Sequence, residues 1–239
     1  CDICWDKIDG QFYCPIDNFT GIFNGSFKTI YKFKDVSNLE KKYIGLFGEI
    51  TNGTVANLNL NVDLDIKDSS NVGCFAGVSN NSNFYNCNIK GKVNIKDGSN
   101  NGLFIGEMID SYASKICVDT SNSVLQGTDN IGGFTGKVIN SKINDSILNS
   151  KLDISSNSNT GCFAGLSNNS QFSNCEITGK FNINCDGGNN VGSFVGEMIN
   201  SHVNNTCIDI SNSIFEGEHN IGGFTGKVIN SKINDSILN

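Results

Sequence analysis

A short motif of glycine, any residue, phenylalanine, any residue and glycine recurs along the chain and constrains its fold more than any other feature. It reads GCFAG at 73–77, GLFIG at 102–106, GGFTG at 132–136, GCFAG at 161–165, GSFVG at 192–196 and GGFTG at 222–226, after a shortened GLFG at 45–48. The phenylalanines, starting at Phe47, follow one another at spacings of 28, 29, 30, 29, 31 and 30 residues. A fixed period of this length is typical of solenoids.

A longer period is superimposed on the first. The stretch IGGFTGKVINSKINDSILN at 131–149 recurs unchanged at 221–239, so that Phe134 and Phe224 are 90 residues apart. We use "rung" for one repeat of about 30 residues, and three rungs then form a super-repeat of about 90 residues. The sequence stops just inside the next copy, and we expect the repeat region to continue beyond residue 239.

Within each rung, apolar residues alternate with polar ones. This period of two indicates strands with one buried face, and because a single rung cannot bury its own apolar row, neighbouring rungs must stack. The predicted fold is therefore all-β, a right-handed parallel β-solenoid (β-helix) with the phenylalanines in its core. We expect the flanking glycines where the backbone is crowded or φ is positive. The predicted inward residues are Leu58, Leu60, Val62, Leu64, Ile66; Cys87, Ile89, Val93, Ile95; Val118, Val124; Leu148, Leu152, Ile154; Cys175, Ile177, Phe181, Ile183; Ile208, Ile210 and Ile214.

The chain divides into two parts on this interpretation. Residues 1–43 form a Cys-rich N-terminal cap and the first strands, and residues 44–239 form the solenoid. Within the first part, residues 19–33 alternate like a hairpin or a first strand pair with a turn at Asn24-Gly25. A cap would cover the open strand edge at that end.

The composition restricts the functional class. The net charge is −7, arginine is absent and the 17 lysines form no cluster, so nucleic acid is not an expected partner. There is no apolar run near 18 residues long, and hence no expected transmembrane segment. Ten cysteines indicate an oxidising compartment, either extracellular or at a cell surface.

The cysteines recur one rung apart, which favours disulfides between rungs. The preferred pairs are Cys87–Cys117 and Cys175–Cys207, although the members of each pair differ by one residue in phase. Two alternatives stay open: the pairs Cys74–Cys87 and Cys162–Cys175 within rungs, or Cys74 and Cys162 as buried free thiols. Near the N-terminus, Cys1, Cys4 and Cys14 favour disulfide bonding over metal binding.

Candidate N-glycosylation sites support the same compartment. The sequence contains N-x-[ST] triplets at Asn18, Asn24, Asn52, Asn80, Asn144, Asn168, Asn204 and Asn234. Each is a candidate site for a glycan in a secreted protein, although an Asn/Ser-rich chain also produces such triplets by chance.

Two further sets of residues are expected to stack between rungs. Glu107 with Lys137, and Glu197 with Lys227, stand three residues after adjacent phenylalanines and are predicted to form ion pairs. An asparagine column six residues after the phenylalanine is predicted to form an amide ladder at a turn; its members are Asn81, Asp110, Asn140, Asn169, Asn200 and Asn230.

The motifs resemble those of a known family. The runs FTGIFNGSFKTIYKF and YIGLFGEITNGTVANLNL, and the later VGCFAG and IGGFTGKVINSKINDSIL, are similar to GLUG-type repeats of bacterial and protist surface proteins. The resemblance covers residues 19–239 and implies a β-solenoid on a secreted or surface-anchored, adhesin-like protein. It supplies no catalytic residues.

The expected function is structural. We expect a rigid, disulfide-stabilised, N-glycosylated segment of an extracellular filament or stalk, whose partners are further covalent repeats or other copies joined head to tail. The alternative is an adhesin or carbohydrate-binding surface module, to which Tyr85 and Tyr112 could contribute. An enzyme is not expected, with no catalytic residue, metal site or cofactor assigned, because the acids are dispersed and His202 and His219 are isolated.

Overall fold

The computed structural model describes residues 3–4, 15–34 and 43–239, and the regular elements in these ranges are β-strands. In chain order they are β1 (Ile3–Cys4), β2 (Ile22–Lys34), β3 (Phe47–Thr51), β4 (Thr54–Lys67), β5 (Ala76–Asn80), β6 (Asn83–Lys96), β7 (Asn101–Gly102), β8 (Ile105–Ile109), β9 (Tyr112–Gln126), β10 (Asp129–Gly132), β11 (Thr135–Ile139), β12 (Lys142–Asn144), β13 (Ile147–Ser155), β14 (Ser158–Gly161), β15 (Ala164–Asn168), β16 (Gln171–Ser173), β17 (Glu176–Gly192), β18 (Val195–Ile199), β19 (His202–Asn204), β20 (Cys207–Asp209), β21 (Ile214–Gly222), β22 (Thr225–Ile229), β23 (Lys232–Asn234) and β24 (Ile237–Leu238). None of the described residues belongs to a helix long and apolar enough to cross a bilayer.

The strands stack in parallel, one rung on the next. The seven strands that follow the phenylalanines, β3, β5, β8, β11, β15, β18 and β22, form one sheet, and a second sheet contains 17 strands. Paired residues are about one rung apart in sequence, as where Thr135 of β11 lies between Ile105 of β8 and Ala164 of β15. The all-β parallel solenoid predicted from the repeat is confirmed, with about seven turns.

The phenylalanine column forms the centre of the core. Phe75, Phe104, Phe134, Phe163 and Phe194 are fully buried. The rings of Phe134 and Phe163 stack with centroids 4.4 Å apart and planes 7° apart. Each ring fills space that its own rung cannot enclose, so the core is continuous along the axis.

The glycines beside the phenylalanines are needed because the backbone is crowded. A Cβ atom on Gly132 would lie 2.1 Å from the carbonyl oxygen of Thr135, and one on Gly136 would lie 2.4 Å from the carbonyl carbon of Asn100. The glycines with positive φ are others: Gly91, Gly98 and Gly179. Close approach of neighbouring backbone atoms therefore explains why the motif contains glycines. The alternative explanation, positive φ at these glycines, is wrong.

Two predicted inward residues face outward. In the rung of Phe104 the register shifts between Ser150 and Leu152 of the paired strand, a β-bulge that adds one residue. As a result Leu125 is fully buried and Val124 is not. In the rung of Phe194, Ile214 is 52% exposed. Phe215 takes its place against the core.

The start of the described chain also differs from one expectation. Residues 22–34 form the single strand β2, which pairs in parallel with β4, Ile22 opposite Thr54. The hairpin interpretation of residues 19–33 is therefore wrong, because the strand stacks on the next rung. β1 extends the parallel stack by pairing with β2. Most of the predicted cap, including Cys1 and Cys14, lies outside the described residues.

Candidate functional site

The chain turns at three corners in each rung, and the corner residues have positive φ. The first corner contains an asparagine four residues before each phenylalanine from Phe75 onward, and these asparagines have φ between 45° and 64°. They are Asn71, Asn100, Asn130, Asn159, Asn190 and Asn220. Asparagine adopts this left-handed conformation more readily than other residues with a side chain.

The first-corner asparagines form an unbroken amide ladder. Each Nδ2 donates to the Oδ1 of the preceding rung, at 3.0 Å from Asn100, 2.8 Å from Asn130, 3.0 Å from Asn159, 2.7 Å from Asn190 and 2.8 Å from Asn220. This ladder was not predicted from the sequence. The signal was present, since asparagine occurs at the same offset before six successive phenylalanines.

The second corner is the asparagine column that was predicted. Its residues all have positive φ, which confirms the turn. The side-chain amide of Asn169 donates a hydrogen bond to that of Asn140 at 2.8 Å, and the side-chain amide of Asn81 donates to that of Asn52 at 2.5 Å. The ladder is less regular than at the first corner, and Asp110 interrupts it, since a carboxyl side chain has no N–H group to donate.

The third corner holds Asn57, Asn86, Lys115, Asp145, Asn174, Asn205 and Asp235. Asn205 donates to Asn174, and Asn174 to Asp145, both at 2.8 Å. Lys115 has φ of 57°, which is unusual for a long side chain, and it separates these bonds from the one between Asn86 and Asn57.

A column of buried serines follows the second corner. Ser141, for example, accepts a hydrogen bond from the backbone nitrogen of Ser111 at 3.0 Å and donates to the carbonyl of Ile139 at 2.7 Å. These hydroxyls satisfy backbone groups that the turn leaves unpaired. The sequence signal, which we did not use, is a serine seven residues after each of six phenylalanines: Ser82, Ser111, Ser141, Ser170, Ser201 and Ser231.

Cysteine replaces serine in the equivalent column after the third corner. Ser146 donates to the carbonyl of Asn144 at 2.8 Å. At the same position of other rungs, the thiol of Cys87 lies 3.3 Å from the carbonyl of Tyr85. Burial raises the pKa of Cys87 to about 12, against the smaller lowering effect of its backbone hydrogen bonds. Burial likewise raises the pKa of Cys175 to about 12.

The preferred disulfide pairs are not joined. In the sheet register Asn88, not Cys87, lies opposite Cys117, and Glu176, not Cys175, lies opposite Cys207. Cys87 and Cys175 therefore point into the core while Cys117 and Cys207 point outward, because side chains alternate along a strand. Free thiols are found at the seven cysteines whose side chains the structure describes: Cys74, Cys87, Cys117, Cys162, Cys175, Cys185 and Cys207.

The within-rung alternative is not joined either. Cys74 and Cys162 are buried thiols, as the third interpretation held. Cys1 and Cys14 lie outside the described residues, and of Cys4 only the backbone in β1 is described. Their bonding stays a prediction.

Most of the glycosylation triplets coincide with the corners. In the triplets of Asn80, Asn144, Asn168, Asn204 and Asn234, the middle residue has positive φ and the third is a column hydroxyl that donates back to the asparagine's own carbonyl. Asn18, Asn24 and Asn52 have exposed side chains, as do Asn204 and Asn234, whereas Asn80, Asn144 and Asn168 are half-buried. Turn chemistry thus accounts for these five triplets, and glycosylation stays a prediction.

The predicted ion pairs are confirmed. Lys137 Nζ lies 3.0 Å from Glu107 Oε1, and Lys227 Nζ lies 2.7 Å from Glu197 Oε1. The glutamates are mostly covered rather than exposed to solvent.

One outward face combines aromatic and polar side chains. The rings of Tyr85 and Tyr112 lie on adjacent rungs with centroids 5.6 Å apart. Asn144 donates to the hydroxyl of Tyr112 at 3.3 Å, and Ser173 donates to Asn144 at 2.7 Å. Beyond them is a shallow depression of about 380 Å³, lined by Gln171, Phe172, Ser173, His202, Asn204 and Asn234.

The last rung exposes residues that are buried in every earlier rung. Val228 is 48% exposed, Ile233 39% and Leu238 44%. Their counterparts one rung earlier are fully buried: Met198, Val203 and Ile208. This end of the described solenoid is therefore an apolar surface edged by unpaired strands.

No group of three or more histidine, cysteine or acidic side chains converges as a metal site within the part of the chain that the structure describes. Asp63 and Asp65, which share an outward face, lie opposite Lys92 and Asn94 of the next rung. No protein-family model, no curated protein and no solved structure matches this chain.

Proposed function

We propose that this protein is a rigid structural segment of an extracellular filament or stalk, without enzymatic activity. The observation that carries the proposal is the continuity of the stack. One phenylalanine core, an amide ladder and hydroxyl columns run through successive rungs, and they connect each rung to both of its neighbours. The resemblance of its motifs to GLUG-type surface proteins is consistent with this role.

The direction of the hydrogen bonds supports a mechanical role. Backbone bonds between rungs lie along the solenoid axis, as in the pair Leu148–Ile177 and its neighbours in β13 and β17. Tension along the axis therefore loads many bonds of one interface together. Shearing one rung past the next would also break hydrogen bonds between side-chain amides, such as that from Asn159 to Asn130.

Assembly along the axis would use the same contacts that already join neighbouring rungs. A further rung of the same repeat would cover Val228, Ile233 and Leu238 and would pair with β22, β23 and β24 by strand addition. That rung comes either from a continuing chain or from a second copy joined head to tail. N-glycans on exposed asparagines beside the corners, such as Asn204, would protect the assembly at a cell surface.

Negative-stain electron microscopy of native material, beside size-exclusion chromatography of residues 1–239, tests the proposal. We expect uniform fibrils or rods whose width matches one solenoid. A monomer at every concentration, together with native particles of discrete length, would rule out the filament. Intact-mass measurement of the native molecule separates covalent repetition from association.

A carbohydrate-binding role is the second candidate, and the paired Tyr85 and Tyr112 rings favour it. Their amphipathic surface lies beside amide and hydroxyl groups that could hydrogen-bond to sugar hydroxyls. Glycan-array binding by the wild type, and its loss in Tyr85→Ala/Tyr112→Ala, would support this role. Equal binding by both proteins would reject that face as the binding surface.

A further inference from the structure

Two phenols lie in contact on the outer surface of adjacent rungs. Tyr85 of β6 lies opposite Ser114 of β9, and Tyr112 stands two residues before Ser114, on the same side of that strand. The ring centroids are 5.6 Å apart and the ring planes are inclined by 47°. Tyr85 is 37% exposed, so the pair is accessible to a reagent in solution.

The hydroxyl of Tyr112 is hydrogen-bonded to the next rung. Its oxygen accepts from Asn144 Nδ2 at 3.3 Å, and Asn144 Oδ1 in turn accepts from the hydroxyl of Ser173 at 2.7 Å. Because Tyr112 is the acceptor, the bond to Asn144 does not use the phenolic hydrogen and persists when that hydrogen is lost. The pair therefore consists of one ring held by its neighbours and one exposed ring in contact with it.

We propose that Tyr85 and Tyr112 form an oxidative cross-linking site, at which a carbon–carbon bond joins the two rings as dityrosine. The inference rests on the proposed role as an extracellular rod and adds a covalent link between two of its rungs. Two directly bonded aromatic rings are twisted, because coplanar rings would press their ortho hydrogens together. The observed inclination of 47° is close to such a twist, so the rings need to approach each other more than they need to tilt.

The oxidant is hydrogen peroxide acting through a haem peroxidase. Each phenol gives up its O–H hydrogen, as one electron and one proton, and becomes a phenoxyl radical. The two radicals combine through a ring carbon ortho to each oxygen, and each of these carbons then passes its hydrogen to the oxygen of its own ring, which restores the phenol. One molecule of peroxide accepts the two electrons and two protons and becomes two molecules of water.

The test is treatment of the folded 239-residue chain with a haem peroxidase and limiting hydrogen peroxide, after its exposed thiols have been alkylated. We expect a monomeric product with the blue fluorescence of dityrosine, a loss of two hydrogen atoms by intact mass, and a cross-linked peptide pair containing Tyr85 and Tyr112. The yield should not depend on protein concentration, because both rings belong to one chain. Thermal unfolding should move to higher temperature, because a link between residues 27 apart in sequence restricts the unfolded chain.

Conservative variants separate this site from random coupling. Tyr85→Phe and Tyr112→Phe each keep the ring and remove the phenol, and we expect either change to abolish dityrosine in the monomer. Tyr31→Phe is the matched control and should leave the yield unchanged, since Tyr31 is 42% exposed but lies in a depression beside Asn59 and Lys90. The urea-unfolded chain should give a mixture of tyrosine pairs instead of one.

Absence of dityrosine from the treated monomer, dityrosine only between chains, or equal yields from wild type and Tyr85→Phe would each overturn the proposal. The structural role is tested apart from the cross-link. Rods or fibrils that still form from Tyr85→Phe/Tyr112→Phe would show that the structural role does not depend on the link. Dityrosine within a protein that never forms rods would reject the structural role and support the cross-linking site.

Discussion

Cys87 and Ser146 occupy the same position in two different rungs, and each side chain donates to the carbonyl of the residue two before it, Tyr85 or Asn144. Each also accepts a hydrogen bond from the rung before, Cys87 from the backbone of Leu58 and Ser146 from Ile116. The thiol of a buried cysteine at this position thus makes the same hydrogen bonds as a serine hydroxyl at the turn.

We expect Cys87→Ser to be more stable than Cys87→Ala by about 1 kcal/mol, because the new hydroxyl finds the partners that Ser146 has. Urea denaturation measures the difference. Cys74 is the matched control, since it is equally buried and burial alone raises its pKa. Cys74→Ser should be less stable than Cys74→Ala. The same order of stability at both positions would contradict the column interpretation.

The buried thiols predict a loss of stability in alkali. An unfolded cysteine titrates near pH 9.0, whereas Cys87 and Cys175 have pKa values of about 12 in the folded chain. Between these values the unfolded chain releases protons that the folded chain retains. The free energy of unfolding should therefore fall as pH rises, by about 1.4 kcal/mol per pH unit for each thiol.

Denaturation of wild type and Cys87→Ser/Cys175→Ser at pH 8, 9 and 10 checks this effect, because lysine titration is common to both proteins. Parallel curves for the two proteins would show that the thiols do not contribute.

Asn130 should be among the most sensitive corner residues. It donates to Asn100 at 2.8 Å and accepts from Asn159 at 3.0 Å, with φ of 55°. Asn130→Ala removes both hydrogen bonds and leaves an alanine in the left-handed region, so we expect the free energy of unfolding to fall by about 2–4 kcal/mol.

Lys115→Asn should instead raise stability by up to about 1 kcal/mol, since asparagine supplies the side-chain amide that the third corner lacks in this rung. Thermal unfolding of both variants measures these effects, and a destabilised Lys115→Asn would contradict the ladder argument.

End-to-end association of the 239-residue chain should depend on the apolar side chains of its last rung. Ile233→Lys places a charge where the next rung would pack, so we expect end-to-end association to fall sharply while the far-ultraviolet circular dichroism stays unchanged. Lys232→Glu is the control on the outward side of the same strand. Sedimentation velocity distinguishes the variants, and unchanged association of Ile233→Lys would mean that the rods do not join at this end.

The fold could be predicted because the repeat supplies the same information several times. The phenylalanine spacing, the period of two around residues such as Ile89 and Ile177, and the Glu107–Lys137 offset all indicate parallel stacking. Val124 and Ile214 were placed wrongly because an inserted residue such as that at the bulge shifts the alternation by one, and a fixed count from the phenylalanine cannot detect it.

The cysteine pairs were harder to predict for the same reason. Cys87 and Cys117 are one rung apart in number but differ by one residue in phase, and that residue decides between core and surface. The resemblance of Cys87 to Ser146 becomes visible only when rungs are aligned by position rather than by residue type. Corner asparagines such as Asn130 were missed because they precede the motif, and the counting began at its phenylalanine.

The super-repeat has a consequence for how such a protein can vary over generations. Residues 131–149 and 221–239 are identical, so these parts of the rungs of Phe134 and Phe224 present the same sequence to whatever stacks on them. Unequal recombination between two such copies would add or remove a whole unit of 90 residues without changing any junction. Each event would change the rod by about 14 Å, three rungs, and keep every column in register. Length would then be a trait that a lineage can adjust in fixed increments.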